Sequence, residues 1–303
     1  MAESLDRDFT RRRARPLERV MEGVLFLAAA VAIAVLVGIV YVVLSESVKF
    51  FAAVPIGDFL TDTRWTPLFE DAHYGIAPLL SGTFMSTLVA LAVAVPLGLL
   101  TAIYLSEFAD ARSRETIKPT LELLAGVPTV VYGYFALLMV TPLLQRLIPG
   151  LPGFNLLSAG IVMGLMIIPY IASLSEDALR AVPNNLRDGS YAMGATKLET
   201  AFRVVLPAAV SGVVGAVVLG MSRAVGETMI VVIAGGQQPQ IVTSPTQQGA
   251  TVTAFIAQVA LGDLPFGTLE YQSIFAAGLA LLLLTLVFNL VAFALHRRYR
   301  EAY

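Results

Sequence analysis

The sequence predicts an all-α membrane protein with six transmembrane helices, on three observations. Hydrophobic residues make up 57% of the 303 and charged residues only 14%, against about 25% charged in soluble domains. Apolar runs of the length a spanning helix needs, about 20 residues, lie near 20–44, 79–105, 120–145, 156–174, 207–234 and 271–295. Sixteen of the twenty Lys and Arg residues fall in alternate segments between these runs. By the positive-inside rule that alternation places both termini on the cytoplasmic side.

Taken in order, the N-terminal tail 1–19 carries Arg7, Arg11, Arg12, Arg13, Arg15 and Arg19 and is expected in the cytoplasm. The first apolar run exceeds the 7–15 residues of a signal-peptide core and has no clear small-x-small cleavage site before Ser45. It reads as an uncleaved span, followed by an outer loop, the two making a unit over 20–74. In that loop Trp65 and Tyr74 are expected in an aromatic belt at the membrane interface.

A core over 75–295 holds the other five spans, and 296–303 is a short cytoplasmic tail with Arg297, Arg298 and Arg300. Pro96 and Gly98 in the second span, Gly126, Pro128 and Gly133 in the third, and Gly160, Gly164 and Pro169 in the fourth predict kinked, closely packed helices. The loop at 106–119 is basic through Arg112, Arg114 and Lys118. In the fifth span Gly212, Ala216, Gly220 and Ala224 recur every four residues, a small-residue stripe that lets another helix approach. The long segment before the sixth span is rich in Gln and Thr and short of cations, so it belongs outside. Within it, 251–261 predicts a short interfacial or re-entrant helix.

The loop at about 175–206 is the longest polar segment expected in the cytoplasm. Glu176 and Asp177, a Pro183-Asn184-Asn185 break and a second helix opening near Asp188 suit it to docking a partner. Asp188 would favour a helix N-terminus by capping or through the dipole. Gly189 and Gly194 have the separation of the glycines in a phosphate-binding loop, but Ala195 stands where lysine is required and no strand precedes it. This chain is therefore not expected to bind ATP. Cysteine is absent and His73 and His296 are isolated, so no metal site is expected. No basic patch with interleaved aromatics supports nucleic-acid binding, and no nucleophile elbow or carboxylate pair supports an enzyme.

Arg223 and Glu227 lie four apart in the fifth span, which would put both on one helical face. Charges at such depth cost about 2.5–3.5 kcal/mol each on insertion scales and normally face the bundle interior or water, in pairs. Two readings stand: an ion pair that pins helices together, or a guanidinium whose fork of donors suits a tetrahedral oxyanion. Counting about 1.5 Å per residue from Pro207 puts Arg223 in the outer half of the span.

The motifs carry a resemblance. Asp188-Gly189-Ser190, then Gly194, nine residues, Val204, one residue, and Leu206-Pro207 have the spacing of the EAA loop by which ABC-transporter permeases engage their ATPases. Asp-Gly-Ser replaces the usual Glu-Ala-Ala. Residues 78–108, 121–135 (LELLAGVPTVVYGYF) and 222–230 (SRAVGETMI) resemble phosphate-specific permeases of the PstC type. The resemblance implies a type I ABC importer permease of MetI-like architecture in a bacterial inner membrane. It further implies a heterodimer with a PstA-type permease, two PstB-type ATPases that use ATP and Mg, and a PstS-type phosphate-binding protein outside. It assigns Arg223 and Glu227 to translocation and 188–207 to ATPase coupling. Sulfate, molybdate and phosphonate importers share the architecture. A secondary transporter has no support from paired half-length inverted segments.

Overall fold

Three glycine-bearing helices, two of them with an internal proline, form the centre of the molecule, and the remaining elements are arranged around them. The computed structural model describes residues 16–262 and 265–298. The basic residues 7–15 and Arg300 therefore lie outside the described residues. The elements are α1 (Pro16–Ala53), α2 (Ile56–Thr61), α3 (Ala77–Ile103), α4 (Ala111–Ala125), α5 (Thr129–Phe135), α6 (Thr141–Leu147) and α7 (Leu156–Arg180). They continue with α8 (Asn184–Ala192), α9 (Lys197–Thr200), α10 (Leu206–Ala208), α11 (Val210–Val225), α12 (Met229–Ala234), α13 (Val252–Ala260) and α14 (Leu269–Arg298). Single π-helical turns at Tyr104–Phe108, Ala136–Val140 and Ala201–Val205 extend α3, join α5 to α6 and join α9 to α10.

Among the described residues, five helices are long and apolar enough to cross a membrane. A sixth span exists if Lys197–Ala208 and Val210–Val225, bent by 74°, count as one. Two expected spans are corrected. The third begins at Thr129, not 120, because Gly126, Val127 and Pro128 end α4 and restart the chain as α5. Residues 120–125 belong to α4, a polar-faced helix outside the bundle. The fifth, expected as one helix over 207–234, is broken at Ala209 and again at Gly226–Thr228.

Close packing follows the glycines as expected. A Cβ on Gly164 of α7 would lie 2.7 Å from the Ala90 carbonyl oxygen of α3, so the two backbones touch. The small-residue stripe of α11 faces α7: a Cβ on Gly212 would lie 2.5 Å from that of Ala178, and one on Gly220 2.9 Å from Ile171 Cγ1. Leu156, Val162, Met163, Ile167 and Ile171 of α7 are fully buried between these partners.

At the N-terminal end of α3 a second core gathers Phe50, Phe59, Trp65, Ile76, Leu79 and Phe255. Here the aromatic-belt expectation fails. Trp65 is 1% exposed and packs edge-on against Phe255 at 5.0 Å, because an antiparallel bridge to Tyr74 folds the loop inward. The short helix expected over 251–261 is α13, which buries Val252, Ala254, Phe255 and Val259.

His73 closes this loop between two carboxylates, its Nδ1 2.7 Å from Asp62 Oδ2 and its Nε2 3.3 Å from Asp71 Oδ2. The hydrogen bond to Asp62 raises the imidazole above its ordinary value, and the same bond holds Asp62 below the usual carboxylate range. A raised pKa contributes stability below the ordinary imidazole value and loses it as pH rises through the folded value. The depressed carboxylate contributes above its ordinary value and loses that on acidification. The closure is thus strongest between the ordinary carboxylate and the ordinary imidazole values. Raising the pH from about 6 to about 9 is expected to lower the thermal midpoint of the wild type more than that of His73→Gln. Equal slopes for the two would refute a role for the imidazole.

Candidate functional site

The sequence-predicted coupling residues assemble into a helical hairpin. Helix α7 ends at Arg180, Pro183 starts the next helix, and α8 runs Asn184–Ala192. Asp188 is therefore mid-helix and caps nothing, contrary to expectation; the helix opens four residues earlier because Pro183 fixes the entry. Gly194 has φ +85°, the left-handed conformation that glycine adopts without strain. The Gly194 amide donates to the Tyr191 carbonyl at 2.9 Å and the Ala195 amide to Ser190 at 3.2 Å, the paired bonds of a Schellman ending. Thr196 and Glu199 then form a reciprocal capping box that opens α9. Ser190 and Thr200 join their hydroxyls at 2.9 Å across the hairpin. Beyond it, partly buried Leu206 packs into a core with Ala102, Leu179, Val182 and Val205, and exposed Pro207 precedes the 74° corner. Gly189 lies within α8 with open space around it.

Two residues that sequence reasoning did not single out fasten the hairpin. Arg187 donates to Glu107 through Nη2 at 2.8 Å and through Nε at 3.2 Å. It also reaches the carbonyls of Val182 at 2.6 Å and Leu179 at 2.9 Å, which the end of α7 leaves without helical partners. One guanidinium thus ties α8 to α7 and to the π turn after α3. Lys197 sits over the Phe108 ring at 5.3 Å. Outward, Met193 is 89% exposed and Leu198 58%. Apolar side chains so placed on a polar hairpin suit it to being covered by a partner.

Of the acidic pair expected to suit docking, Glu176 is turned inward, whereas Asp177 is exposed. Glu176 is fully buried and accepts from Arg114 Nη2 at 2.8 Å and Lys118 Nζ at 2.6 Å, with Arg180 at 3.8 Å. Asp177 holds Lys118 at 2.8 Å. Burial acts to lower the Lys118 pKa, but its bonds to Asp177 and Glu176 prevail and raise it. The cluster binds α4 to the end of α7.

Arg223 and Glu227 part company. Helix α11 ends at Val225, so the two do not share a continuous helical face and form no ion pair. Buried Glu227 turns back on the next helix, where its Oε1 accepts from the amides of Met229 at 3.1 Å and Ile230 at 3.4 Å. Its own carbonyl accepts from the Thr253 hydroxyl at 2.8 Å, linking this turn to α13. The exposed Arg223 guanidinium lies 5.5 Å from the centre of the Tyr170 ring on α7 and has no carboxylate partner among the described residues. The structure thus presents an unneutralised cation near the C-terminal end of α11.

The signature of the family described as binding-protein-dependent transport system inner membrane component matches residues 94–301. The chain belongs to that family. Its hairpin, the whole of α7 and α11, the end of α3 and the Arg223 cation lie within the matched region. Among the family's curated members, the probable ABC transporter permease protein YqgH of Bacillus subtilis is 35% identical over 269 residues, covering 89% of this chain and 85% of the relative. The phosphate transport system permease protein PstC of Haemophilus influenzae is 34% identical over 282 residues, covering 86% and 85%. Solved structures give the fold. A bacterial transporter involved in alginate import aligns with TM-score 0.62 at 15% identity, over 95% of this chain and all of that one. The MetNI methionine transporter aligns with TM-score 0.54 at 20% identity, over 75% and 95%. The family consists of transport components, not enzymes, and the chain is a membrane-spanning ABC permease.

Proposed function

We propose that this chain is the PstC-type subunit of an ATP-driven importer that carries inorganic phosphate across a bacterial inner membrane. The observation that carries the reading is the similarity to PstC permeases along most of both chains. The cytoplasmic tails are 1–19 and 296–303, with the first span and outer loop at 20–74 and the permease core at 75–295. A PstA-type permease completes the pathway, two PstB-type ATPases consume ATP and Mg, and a PstS-type protein delivers phosphate from outside. This chain itself holds no cofactor.

Coupling is assigned to the hairpin and its exit: Asp188, Gly189, Ser190, Gly194, Leu206 and Pro207. Its outward apolar residues and self-satisfied hydrogen bonds suit a rigid piece gripped by a soluble motor. Translocation is assigned to Arg223, whose free donors suit an oxyanion, with Glu227 holding the turn that follows.

Purification through a tag on this chain is expected to bring down one further permease and an ATPase. In proteoliposomes with the binding protein, labelled phosphate should accumulate only when ATP is present. Accumulation without ATP would mark a secondary transporter, and preference for sulfate, molybdate or a phosphonate would move the chain to another oxyanion importer.

A further inference from the structure

We propose that Tyr170 is a positioning residue of the anion pathway: its ring holds the Arg223 guanidinium in place without neutralising it, leaving charge and donors free for a passing oxyanion. The inference rests on the reading of this chain as an oxyanion permease. Three observations combine. The guanidinium lies over the Tyr170 ring at 5.5 Å. The acid nearest in sequence, Glu227, is withdrawn, bonded to the Met229 and Ile230 amides. Neither the guanidinium nor the Tyr170 hydroxyl has a hydrogen-bond partner among the described residues.

The choice of partner matters for a transport step. A carboxylate would fix the guanidinium equally well but would occupy its fork and cancel its charge, so each anion would have to displace it. An aromatic face attracts the cation through its quadrupole and leaves the N–H donors unused. Tyr170 can do this because α7 packs directly on α11 through the small-residue stripe. The ring and the guanidinium are thereby presented from two helices held in contact.

The test uses the complete transporter with its binding protein in proteoliposomes, comparing phosphate carried per ATP hydrolysed. Tyr170→Leu is expected to lower this ratio about 10-fold, while Tyr170→Phe, which keeps the ring face, stays within about twofold. Binding-protein-stimulated ATP hydrolysis should persist in both, which a folding defect would not allow. In an Arg223→Gln background Tyr170→Leu should add nothing further, since the ring acts through the guanidinium. An unchanged ratio in Tyr170→Leu, an equal loss in Tyr170→Phe, or an additive loss in the double variant would each overturn the proposal. If Tyr170→Leu does not assemble, Tyr170→Met replaces it under the same criteria. A wild-type complex that carries no oxyanion refutes the transport reading instead, and one that prefers sulfate corrects only the substrate.

Discussion

Replacing Arg187 with leucine is expected to reduce binding-protein-dependent uptake by more than about tenfold. Its guanidinium joins three elements: α8, the carbonyl end of α7 and the π turn after α3. Glu107, only 5% exposed, would lose its cation. Removing one partner from a buried pair costs about 3–5 kcal/mol, because the other charge is left without compensation. The hairpin would keep its own internal bonds yet lose its fastening to the body, so ATP hydrolysis should continue with little transport. Glu107→Gln should be milder, since Arg187 retains the Val182 and Leu179 carbonyls. Uptake by Arg187→Leu at the wild-type rate would show that these bonds transmit nothing.

The second large effect is expected at Glu176, now as loss of stability. Its carboxylate is wholly buried between Arg114 and Lys118, and α4 has no buried residues of its own to hold it in place. Glu176→Ala takes the anion away from Arg114 and leaves Lys118 with Asp177 alone, a change of about 3–5 kcal/mol. Helix α4 should detach from α7, visible as faster proteolysis at 111–125 and a lower thermal midpoint of the complex. Glu176→Gln should lie between alanine and wild type, because the amide oxygen still accepts one bond. A midpoint unchanged by Glu176→Ala would show that other contacts hold α4.

Features carried by local periodicity were legible in the sequence. The apolar runs gave the spans, the four-residue spacing of Gly212, Ala216, Gly220 and Ala224 gave the α7-facing stripe, and Pro183 gave the helix break. Features that depend on distant pairing were not. Nothing at Arg187 points to Glu107, eighty residues away, and nothing near Trp65 points to Phe255. The i, i+4 argument for Arg223 and Glu227 failed for a different reason. It presumed an unbroken helix, whereas Gly226 ends α11 and frees the acid to bond the next helix. The same glycine that separates the charges is what leaves the cation available.

The internally completed hairpin has a mechanical consequence. With the Schellman bonds closing the end of α8 and the capping box opening α9, the turn between the two helices needs no outside hydrogen bond to keep its shape. Such a unit tilts as a crank, not as a spring. Its bearings are the Pro183 junction and the corner at Ala209, and from that second bearing starts the sixteen-residue shaft α11, which carries the free guanidinium in its last turn. A displacement too small to disturb a bond inside the crank would still swing the far end of that shaft.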